Sequence, residues 1–156
     1  MSAVISADTG SRFFLFAKAW PAVEALLNAG IEIHCLRDLT RGGLATTLNE
    51  IAADRNICIK LEEVLIPVDE TVQSACEILG LDPLYVANEG RFAVFVPAAQ
   101  ADAALCVLKK VEVSQGAVCV GTVEGTPGRR TVVLQSRIGG NRVVDMLSGE
   151  QLPRIC

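Results

Sequence analysis

The sequence predicts an α+β domain in which a mixed β-sheet is covered by helices mainly on one face. Segments with strand and helix patterns alternate early in the chain, and strand-like segments dominate its later part. Hydrophobic residues make up 51% and aromatic residues only 4% of the 156 residues, which indicates an aliphatic, alanine-rich core. A chain of this length is most simply one domain.

The predicted elements follow from apolar spacing and from the residues that end each segment. Gly30 ends the first helix, Pro67 interrupts the pattern after the second strand, and Asp69 caps the third helix. Residues 84–87 are predicted to be extended, and residues 88–90 are predicted to form a turn. The predicted helices are 20–29, 40–53, 69–79 and 98–111, and the predicted strands are 32–38, 57–61, 91–96, 117–123, 131–135 and 142–146.

The ends of the chain are assigned separately from the domain. Residues 1–18 are predicted to be a linker or the remnant of a preceding half, residues 19–146 the folded domain, and residues 147–156 a flexible tail. Phe13, Phe14 and Phe16 would be exposed if nothing covered them. Exposed apolar surface of this kind often marks a missing partner or domain, so we expect another folded unit to adjoin this region.

Charge and hydropathy exclude several functional classes. The net charge of −4, from 14 basic and 18 acidic residues, argues against a nucleic-acid-binding surface, which needs clustered lysine and arginine. No apolar run reaches the ~18 residues that span a bilayer. The first residues also lack the charged region of a signal peptide. We therefore expect a cytoplasmic protein that binds neither nucleic acid nor membrane.

The cysteines indicate buried thiols in a reducing compartment rather than disulfides or a zinc site. There is no Cys-x-x-Cys pair, and His34 is the single histidine, so the paired spacing of zinc ligands is missing. Five of the six cysteines have apolar neighbours and are predicted to be buried: Cys35, Cys58, Cys76, Cys106 and Cys119.

A strand-to-helix connection between Leu36 and Ile51 contains the first candidate site. Leu44 and Leu48 recur at the helical spacing that leads to Ile51, so a helix is predicted to follow the connection. The connection itself contains the candidate binding residues Asp38, Thr40, Arg41, Gly42 and Gly43.

Two interpretations of this connection stand side by side. Asp38 or Thr40 can cap the helix, and the free N–H groups of the helix start, together with Arg37 and Arg41, can bind an anion such as phosphate. Alternatively, the connection is simply the start of a capped helix whose glycines allow close packing against a strand.

The final residue, Cys156, is the second candidate. It is either a chance residue at a frayed end or a mobile thiol carrier that takes a covalent intermediate between sites. An extended tail of ten residues reaches roughly 33 Å, at ~3.3 Å per residue. Pro153 would stiffen the approach, and Arg154 would favour the reactive thiolate.

Three segments, in order along the chain, resemble the HypE family of carbamoyl dehydratases in [NiFe]-hydrogenase maturation. They are Arg-Asp-x-Thr-Arg-Gly-Gly-Leu-Ala-x-x-Leu-Asn-Glu-Ile-Ala from Arg37, Asp-Pro-Leu-Tyr-Val-Ala-Asn-Glu-Gly-Arg from Asp82, and the terminal Pro-Arg-Ile-Cys. Leu39 departs from the family, which usually has proline or a small residue there. The resemblance covers about residues 20–156 and implies the C-terminal domain fold of the aminoimidazole ribonucleotide synthetase and selenophosphate synthetase superfamily.

The resemblance implies a specific reaction. The carbamoyltransferase HypF delivers a carbamoyl group to the thiolate that matches Cys156, ATP activates the S-carboxamide, and dehydration leaves a thiocyanate. Its cyanide then passes to iron held by a HypC–HypD scaffold. Glu89 matches the family glutamate that removes amide protons. From its spacing alone, Glu89 would be interpreted as a solvent-exposed turn carboxylate.

The resemblance also implies cofactors and a missing half. ATP and Mg²⁺ would be bound mostly by an N-terminal domain that this chain lacks, and that domain would form a homodimer. Asp38, Thr40, Arg41, Gly42 and Gly43 would line the cleft facing the nucleotide, and no metal ligand is assigned to this chain. We therefore expect a fragment that folds alone but is inactive without the other half.

Alternative functions were weighed against this hypothesis. Another synthetase domain of the superfamily would share the Gly-Gly helix start but not the terminal Pro-Arg-Ile-Cys. A non-catalytic module that docks onto maturation partners is a second alternative. A hydrolase has no support, because the chain contains no Gly-x-Ser-x-Gly and no Ser–His pair is predicted.

Overall fold

The computed structural model describes residues 11–17, 19–125 and 130–146. Within these ranges the chain forms a seven-stranded mixed sheet and four α-helices, which confirms the predicted α+β class. The strands are β1 Arg12–Ala17, β2 Cys35–Leu39, β3 Cys58–Glu62, β4 Asn88–Val96, β5 Val118–Glu124, β6 Thr131–Gln135 and β7 Asn141–Val143. The helices are α1 Ala19–Asn28, α2 Gly43–Arg55, α3 Glu70–Leu79 and α4 Ala101–Lys110.

The strand order across the sheet is β2-β4-β1-β5-β3-β6-β7. All neighbouring pairs are antiparallel except β3 and β6, which run parallel with Cys58 opposite Thr131. Since β1 hydrogen-bonds to β4 on one side and to β5 on the other, residues 12–17 are central to the sheet.

The position of β1 corrects the predicted linker over residues 1–18, which is wrong for residues 12–17. Phe13 was expected to be exposed, yet it is 0% exposed and stacks on Phe95 with ring centroids 4.8 Å apart. Leu15 is buried in the same core. The short apolar run is therefore a strand of the sheet, and the core of this chain covers Phe13 and Leu15 without another domain.

Two apolar cores lie on opposite faces of the sheet. Leu48 of α2 belongs to the core that contains Phe95 of β4, whereas Leu26 of α1 and Leu108 of α4 belong to the core that contains Val94. Consecutive side chains of a strand point to opposite faces, so β4 contributes to both cores. The faces therefore carry α2 on one side and α1 with α4 on the other.

Helix α3 begins where the sequence predicts. Asp69 is its N-cap residue, and its carboxylate accepts a hydrogen bond from the Thr71 N–H at 2.9 Å. The hydrogen bond from the Thr71 backbone holds the pKa of Asp69 below its ordinary value.

None of the helices in the described ranges is both long enough and apolar enough to cross a membrane.

The segment before β4 differs from the prediction. Pro83–Tyr85 form a 3₁₀ turn, in which the Asp82 carboxylate accepts from the Leu84 N–H at 3.0 Å, so residues 84–87 are not uniformly extended. Residues 88–90 belong to β4 rather than to a turn before it. Turn-forming residue types also occur at bulges within strands, which is why the local sequence indicated a turn.

The burial of the cysteines is largely as predicted. Cys35, Cys58 and Cys76 are buried, and desolvation raises the pKa of the Cys35 thiol. Cys119 is half-buried. The prediction is wrong for Cys106, which is exposed on α4, because its apolar sequence neighbours lie on other sides of the helix.

Candidate functional site

Glu89 and the connection over residues 38–43 lie where β2 ends and β4 begins. Leu39 pairs with Asn88 and Asp38 pairs with Phe92, so residues 89–91 form a bulge between these two pairs. Glu89 is exposed within this bulge. The structure therefore brings Glu89 to the same end of the sheet as the connection over residues 38–43, although a long stretch of sequence separates them.

Helix α2 begins without the predicted side-chain cap. Its N-cap residue is Gly42, which has φ 63° and ψ 19°, and no side chain caps it. Asp38 and Thr40 were predicted to act as caps, but the Thr40 hydroxyl donates instead to the Asp38 carboxylate at 3.3 Å. The capping prediction is wrong because β2 continues to Leu39 and a left-handed turn follows, which separates both side chains from the helix start.

The close approach predicted for the glycines is present at Gly43. This residue has φ 60°, and a Cβ on it would lie 2.5 Å from the Val86 carbonyl oxygen and 2.6 Å from that of Leu84. The approaching group is thus backbone of the 3₁₀ turn. Because carbonyl oxygens repel anions, the Gly43 side does not suit a phosphate. A Cβ on Gly42 would in turn meet the Thr46 side chain, so that side is closely packed as well.

Exposed charges lie around the start of α2. Arg37 pairs with Glu50 at 2.7 Å, and both side chains are nearly half exposed, so the pair contributes at most ~1 kcal/mol. Arg41 is also exposed and directly precedes Gly42. Of the two arginines, Arg41 is therefore the better candidate for a phosphate contact.

A cavity of about 250 Å³ opens beside the bulge. Asn88 and Arg91 line it from β4, Asp69 lines it from the start of α3, and Leu44 and Val72 are among its apolar lining. Small-molecule pockets range from roughly 300 to 1,000 Å³. The cavity therefore suits a small group or one side chain rather than a whole nucleotide.

The described residues fit a nucleotide only in part. The exposed Arg41 suits a phosphate, whereas the carbonyls facing Gly43 do not. Within residues 11–17, 19–125 and 130–146, no group of three or more His, Cys, Asp or Glu side chains could hold a metal ion. These residues therefore suit the edge of a polyphosphate and do not supply a complete Mg²⁺ site.

Two side chains that the sequence analysis did not assign hold the chain after β7. The Asn49 side-chain amide donates to the Val144 carbonyl at 2.8 Å, and the Tyr85 hydroxyl donates to the Asp145 carbonyl at 3.0 Å. Desolvation raises the pKa of Tyr85, so its hydroxyl remains a donor at neutral pH. Both residues lie in the quoted motifs, but their partners are far away in the sequence.

The predicted acceptor, Cys156, lies outside the described residues, as do Pro153 and Arg154. The last described residue is Met146, directly after the segment that Tyr85 holds. Asp145, one residue before the last described position, is therefore held beside the elements that frame the candidate site.

A Ser–His pair is present although the sequence analysis predicted none. The Ser11 hydroxyl lies 3.0 Å from His34 Nδ1, and the Glu32 carboxylate lies 3.3 Å from His34 Nε2. Ser11 and His34 are 4% and 3% exposed. The backbone N–H of His34 donates to the Phe95 carbonyl, near the end of β4 that lies opposite the bulge. Because both side chains are buried, we interpret the pair as structural support.

Comparison with protein families decides the classification. The family model described as "AIR synthase related protein, C-terminal domain" matches residues 12–133, which is most of the chain. The chain belongs to this family. The match begins at the first residue of β1, in agreement with the central position of that strand.

Members of this family from hydrogenase maturation are similar to the chain at high identity. Carbamoyl dehydratase HypE of Azotobacter vinelandii is 50% identical over 134 residues, covering 86% of this chain and 39% of that protein. Carbamoyl dehydratase HypE of Cupriavidus necator is 52% identical over 124 residues, covering 80% and 35%. The resemblance to HypE is confirmed, and the chain spans less than half the length of these relatives.

Solved structures share the fold. A crystal structure of the hydrogenase maturation protein HypE superposes with a TM-score of 0.84 at 36% identity, covering 97% of this chain and 58% of that one. A HypE crystal structure in complex with ATP gives 0.84 at 35% identity, covering 97% and 55%. A crystal structure of a HypE–HypF complex gives 0.79 at 29% identity, covering 90% and 55%.

Proposed function

We propose that the chain is the part of a hydrogenase-maturation carbamoyl dehydratase that carries the acceptor thiol, Cys156, and a catalytic base, Glu89. The observation that carries the proposal is the 50% identity to carbamoyl dehydratase HypE over 134 residues. The terminal Pro-Arg-Ile-Cys supports the role of Cys156, and the bulge in β4 supports the role of Glu89.

In the proposed reaction, the Cys156 thiolate attacks the carbon of an activated carbamoyl group presented by a HypF-type carbamoyltransferase. The C–S bond of an S-carboxamide forms as the bond from that carbon to its activating group breaks, and the activating group leaves with the bonding electron pair on the carbamoyltransferase. ATP supplies the phosphoryl group that converts the carboxamide oxygen into a leaving group. Loss of that oxygen as phosphate and of both amide protons leaves a thiocyanate on Cys156. Glu89 accepts a proton from the amide nitrogen. The thiocyanate is the cyanide source for iron on a HypC–HypD scaffold.

The geometry of the bulge supports this assignment of roles. Glu89 lies on an exposed segment at the end of β2, beside the connection that contains Asp38, Thr40, Arg41, Gly42 and Gly43. Because Glu89 is exposed, its carboxylate is accessible to a group carried in from outside the domain. In the proposal, Arg41 contacts the edge of the polyphosphate, while Asp38 and Thr40 brace the connection through their hydrogen bond.

The remaining machinery is proposed to lie in the part of the relatives that this chain does not span. That part would bind most of ATP with Mg²⁺ and would form the homodimer. The crystal structure of HypE with ATP supports nucleotide use by the relatives. We expect the isolated chain to show no ATP hydrolysis above background, and robust turnover by the chain alone would contradict this division of labour.

Mass spectrometry of the C-terminal peptide tests the proposal. The chain is incubated with carbamoyl phosphate, ATP, HypF and the N-terminal half of a HypE relative. We expect a carbamoyl mass gain on Cys156 followed by loss of water. Cys156→Ala removes both changes, whereas Cys106→Ala, which removes an exposed thiol on α4, leaves both intact. Carbamoylation that survives Cys156→Ala would transfer the acceptor role to another residue.

A docking role is the second candidate, favoured by the crystal structure of a HypE–HypF complex. In this function the chain binds HypF independently of the chemistry at Cys156. Pull-down with HypF, before and after deletion of residues 153–156, separates the two. Equal capture of both forms supports a docking surface on the folded domain, and capture that requires the terminal residues supports recognition of the tail.

A further inference from the structure

We propose that Asn49, Asp82 and Tyr85 are positioning residues that fix the base of the C-terminal arm beside the candidate site. The arm is defined as residues 147–156, and the arm base as residues 142–146. The role rests on the proposed function, in which Cys156 at the end of the arm carries the reacting group. None of the three residues is assigned to contact the substrate.

Two hydrogen bonds hold successive carbonyls of the arm base. The Asn49 side-chain nitrogen donates one hydrogen to the Ala45 carbonyl at 2.9 Å and the other to the Val144 carbonyl at 2.8 Å. The Tyr85 hydroxyl donates to the next carbonyl, that of Asp145, at 3.0 Å. Since both N–H groups of the Asn49 amide are used, its orientation is fixed by α2 as well as by the arm base.

An ion pair adds a third connection from the same turn. One carboxylate oxygen of Asp82 accepts the Leu84 N–H at 3.0 Å, and the other accepts from the Arg142 guanidinium at 2.7 Å. Asp82 therefore shapes the 3₁₀ turn and holds the arm base at once. Because the pair is partly exposed, we expect it to orient the arm base rather than to add much to the free energy of unfolding.

The elements that hold the arm base are those that frame the candidate site. Asn49 lies in α2, whose first residue Gly43 abuts the carbonyls of Leu84 and Val86. Tyr85 lies between those two carbonyls, in the turn just before β4 and its bulge. The arm base, the start of α2 and the turn before Glu89 thus form one packed unit.

The arm base has an anchor of its own at Val144. Strand β7 is three residues long, all exposed, whereas the Val144 side chain is 0% exposed in the core that contains Leu48. The Val144 N–H also donates to the Val132 carbonyl at 2.8 Å. Without the Tyr85 hydrogen bond, Val144 would be the last anchored residue, so the chain leading to Cys156 would lengthen by two residues, or roughly 7 Å. Through length alone the thiol would lose about one quarter of its effective concentration at the site, and lost direction would lower it further.

Disulfide trapping measures this effective concentration without any carbamoyl chemistry. Glu89→Cys provides a reporter thiol in the bulge, and Cys106→Ser removes the exposed competing thiol on α4. The rate of disulfide formation between the reporter and Cys156 is followed in a glutathione buffer by peptide mapping. The test variant carries Tyr85→Phe and Asp82→Asn, which retain ring packing and the cap on the 3₁₀ turn.

The matched control is Gln100→Met, which removes the hydrogen bond from the Glu32 N–H to the Gln100 side chain at the opposite end of β4. We expect the double variant to slow trapping by about one quarter or more and the control to leave it unchanged. An unchanged rate in the double variant, or equal slowing by the control, would overturn the positioning role. Tyr85→Phe alone removes one partly exposed hydrogen bond, so it keeps the fold and should shift the rate in the same direction.

A spectroscopic readout separates positioning from simple stability. In ¹⁵N relaxation measurements, the order parameters of residues 144–146 are expected to fall in the double variant while those of α1 and α4 stay constant. Uniform loss of order would indicate global destabilisation instead. Failure to carbamoylate Cys156 would refute the proposed function yet leave these measurements valid, so the two failures are distinguishable.

Discussion

The position of Glu89 depends on the backbone of β4. Residues 89–91 have no partner on β2 between the pairs Leu39–Asn88 and Asp38–Phe92, although Arg91 remains paired with Ala17 of β1. Gly90 at φ 76° allows the backbone to make this excursion. The bulge therefore places a carboxylate at the end of β2 without burying it. In this position the Glu89 carboxylate is accessible from solvent.

Glu89→Gln is expected to separate the two steps of the proposed reaction. Carbamoylation of Cys156 should continue, while dehydration should slow by about 10²- to 10⁴-fold because the amide protons lose their acceptor. Mass spectrometry of the terminal peptide measures both steps. Glu112→Gln, at an exposed glutamate after α4, is the matched control and should have no effect. Normal dehydration by Glu89→Gln would remove Glu89 from the mechanism.

Gly43→Ala is expected to destabilise the chain by about 2–4 kcal/mol, because alanine is strained in the left-handed backbone conformation and its methyl group overpacks the site. The new methyl group would meet the carbonyls of Val86 and Leu84. Gly30→Ala is the control, since Gly30 has φ 71° but nothing within 4 Å of the added Cβ, and it should cost only about 1–2 kcal/mol. Urea unfolding measures both, and equal losses would show that the close approach contributes nothing.

At the scale of elements, the helices could be predicted because capping residues mark their ends locally. The strands were harder to predict because a strand is defined by its pairing with distant residues. Asp69 and Gly80 mark the ends of α3 through contacts within a few residues, so the sequence places that helix well. The apolar run of β1 reads equally as exposed surface or as a strand until its pairing with β4 and β5 is known.

The candidate site follows the same division. The motifs identified Gly43 as a position of close approach, but not the Val86 carbonyl that approaches it, because the 3₁₀ turn is brought there by tertiary packing. Asn49 and Tyr85 were visible in the motifs, yet their partners Val144 and Asp145 lie near the other end of the chain. Residue types could therefore be predicted where contacts are local, and contact partners could not.

Removal of the α3 cap is expected to fray that helix. Asp69→Ala should lower thermal stability at neutral pH, whereas Asp69→Asn, which retains a capping oxygen, should lower it less. Because folding lowers the pKa of Asp69, its contribution is full above the ordinary value of about 3.9 and is lost as the pH falls through the lower folded-state pKa. The unfolding curves of the parent chain and of Asp69→Ala should therefore differ at neutral pH and converge at acidic pH.

Phe13→Ala tests the assignment of β1 to the core. The ring is fully buried against Phe95, so its loss should cost about 3–5 kcal/mol. Leu27→Ala, at a residue that is 57% exposed on α1, should change stability by no more than about 0.5 kcal/mol. Urea unfolding measures both values. A small effect of Phe13→Ala would restore the view of this segment as a dispensable linker.

At the scale of the whole molecule, the two cores share the strands of one sheet. Val94 and Phe95 are adjacent in β4 yet belong to opposite cores, so loosening either face disturbs the ladder that supports the other. Shared strands of this kind favour a single cooperative transition for the described domain.

Two matched core substitutions test this cooperativity. Leu48→Ala under α2 and Leu108→Ala under α4 should each lower the free energy of unfolding by about 2–5 kcal/mol. Fluorescence of Trp20, the single tryptophan and a residue of α1, should report the same midpoint as far-ultraviolet circular dichroism in both variants. A tryptophan transition that precedes the dichroism transition in Leu108→Ala would show that the faces unfold separately.

During synthesis on the ribosome, β3 emerges well before either of its neighbours. Its two partners, β5 and β6, follow only after α3, β4 and α4 have been translated. A nascent chain that has reached α4 therefore carries an apolar strand with both edges open, the state in which intermolecular pairing is easiest. Protection of that interval by a holdase chaperone, rather than faster folding of any one helix, should decide how much chain reaches the native sheet.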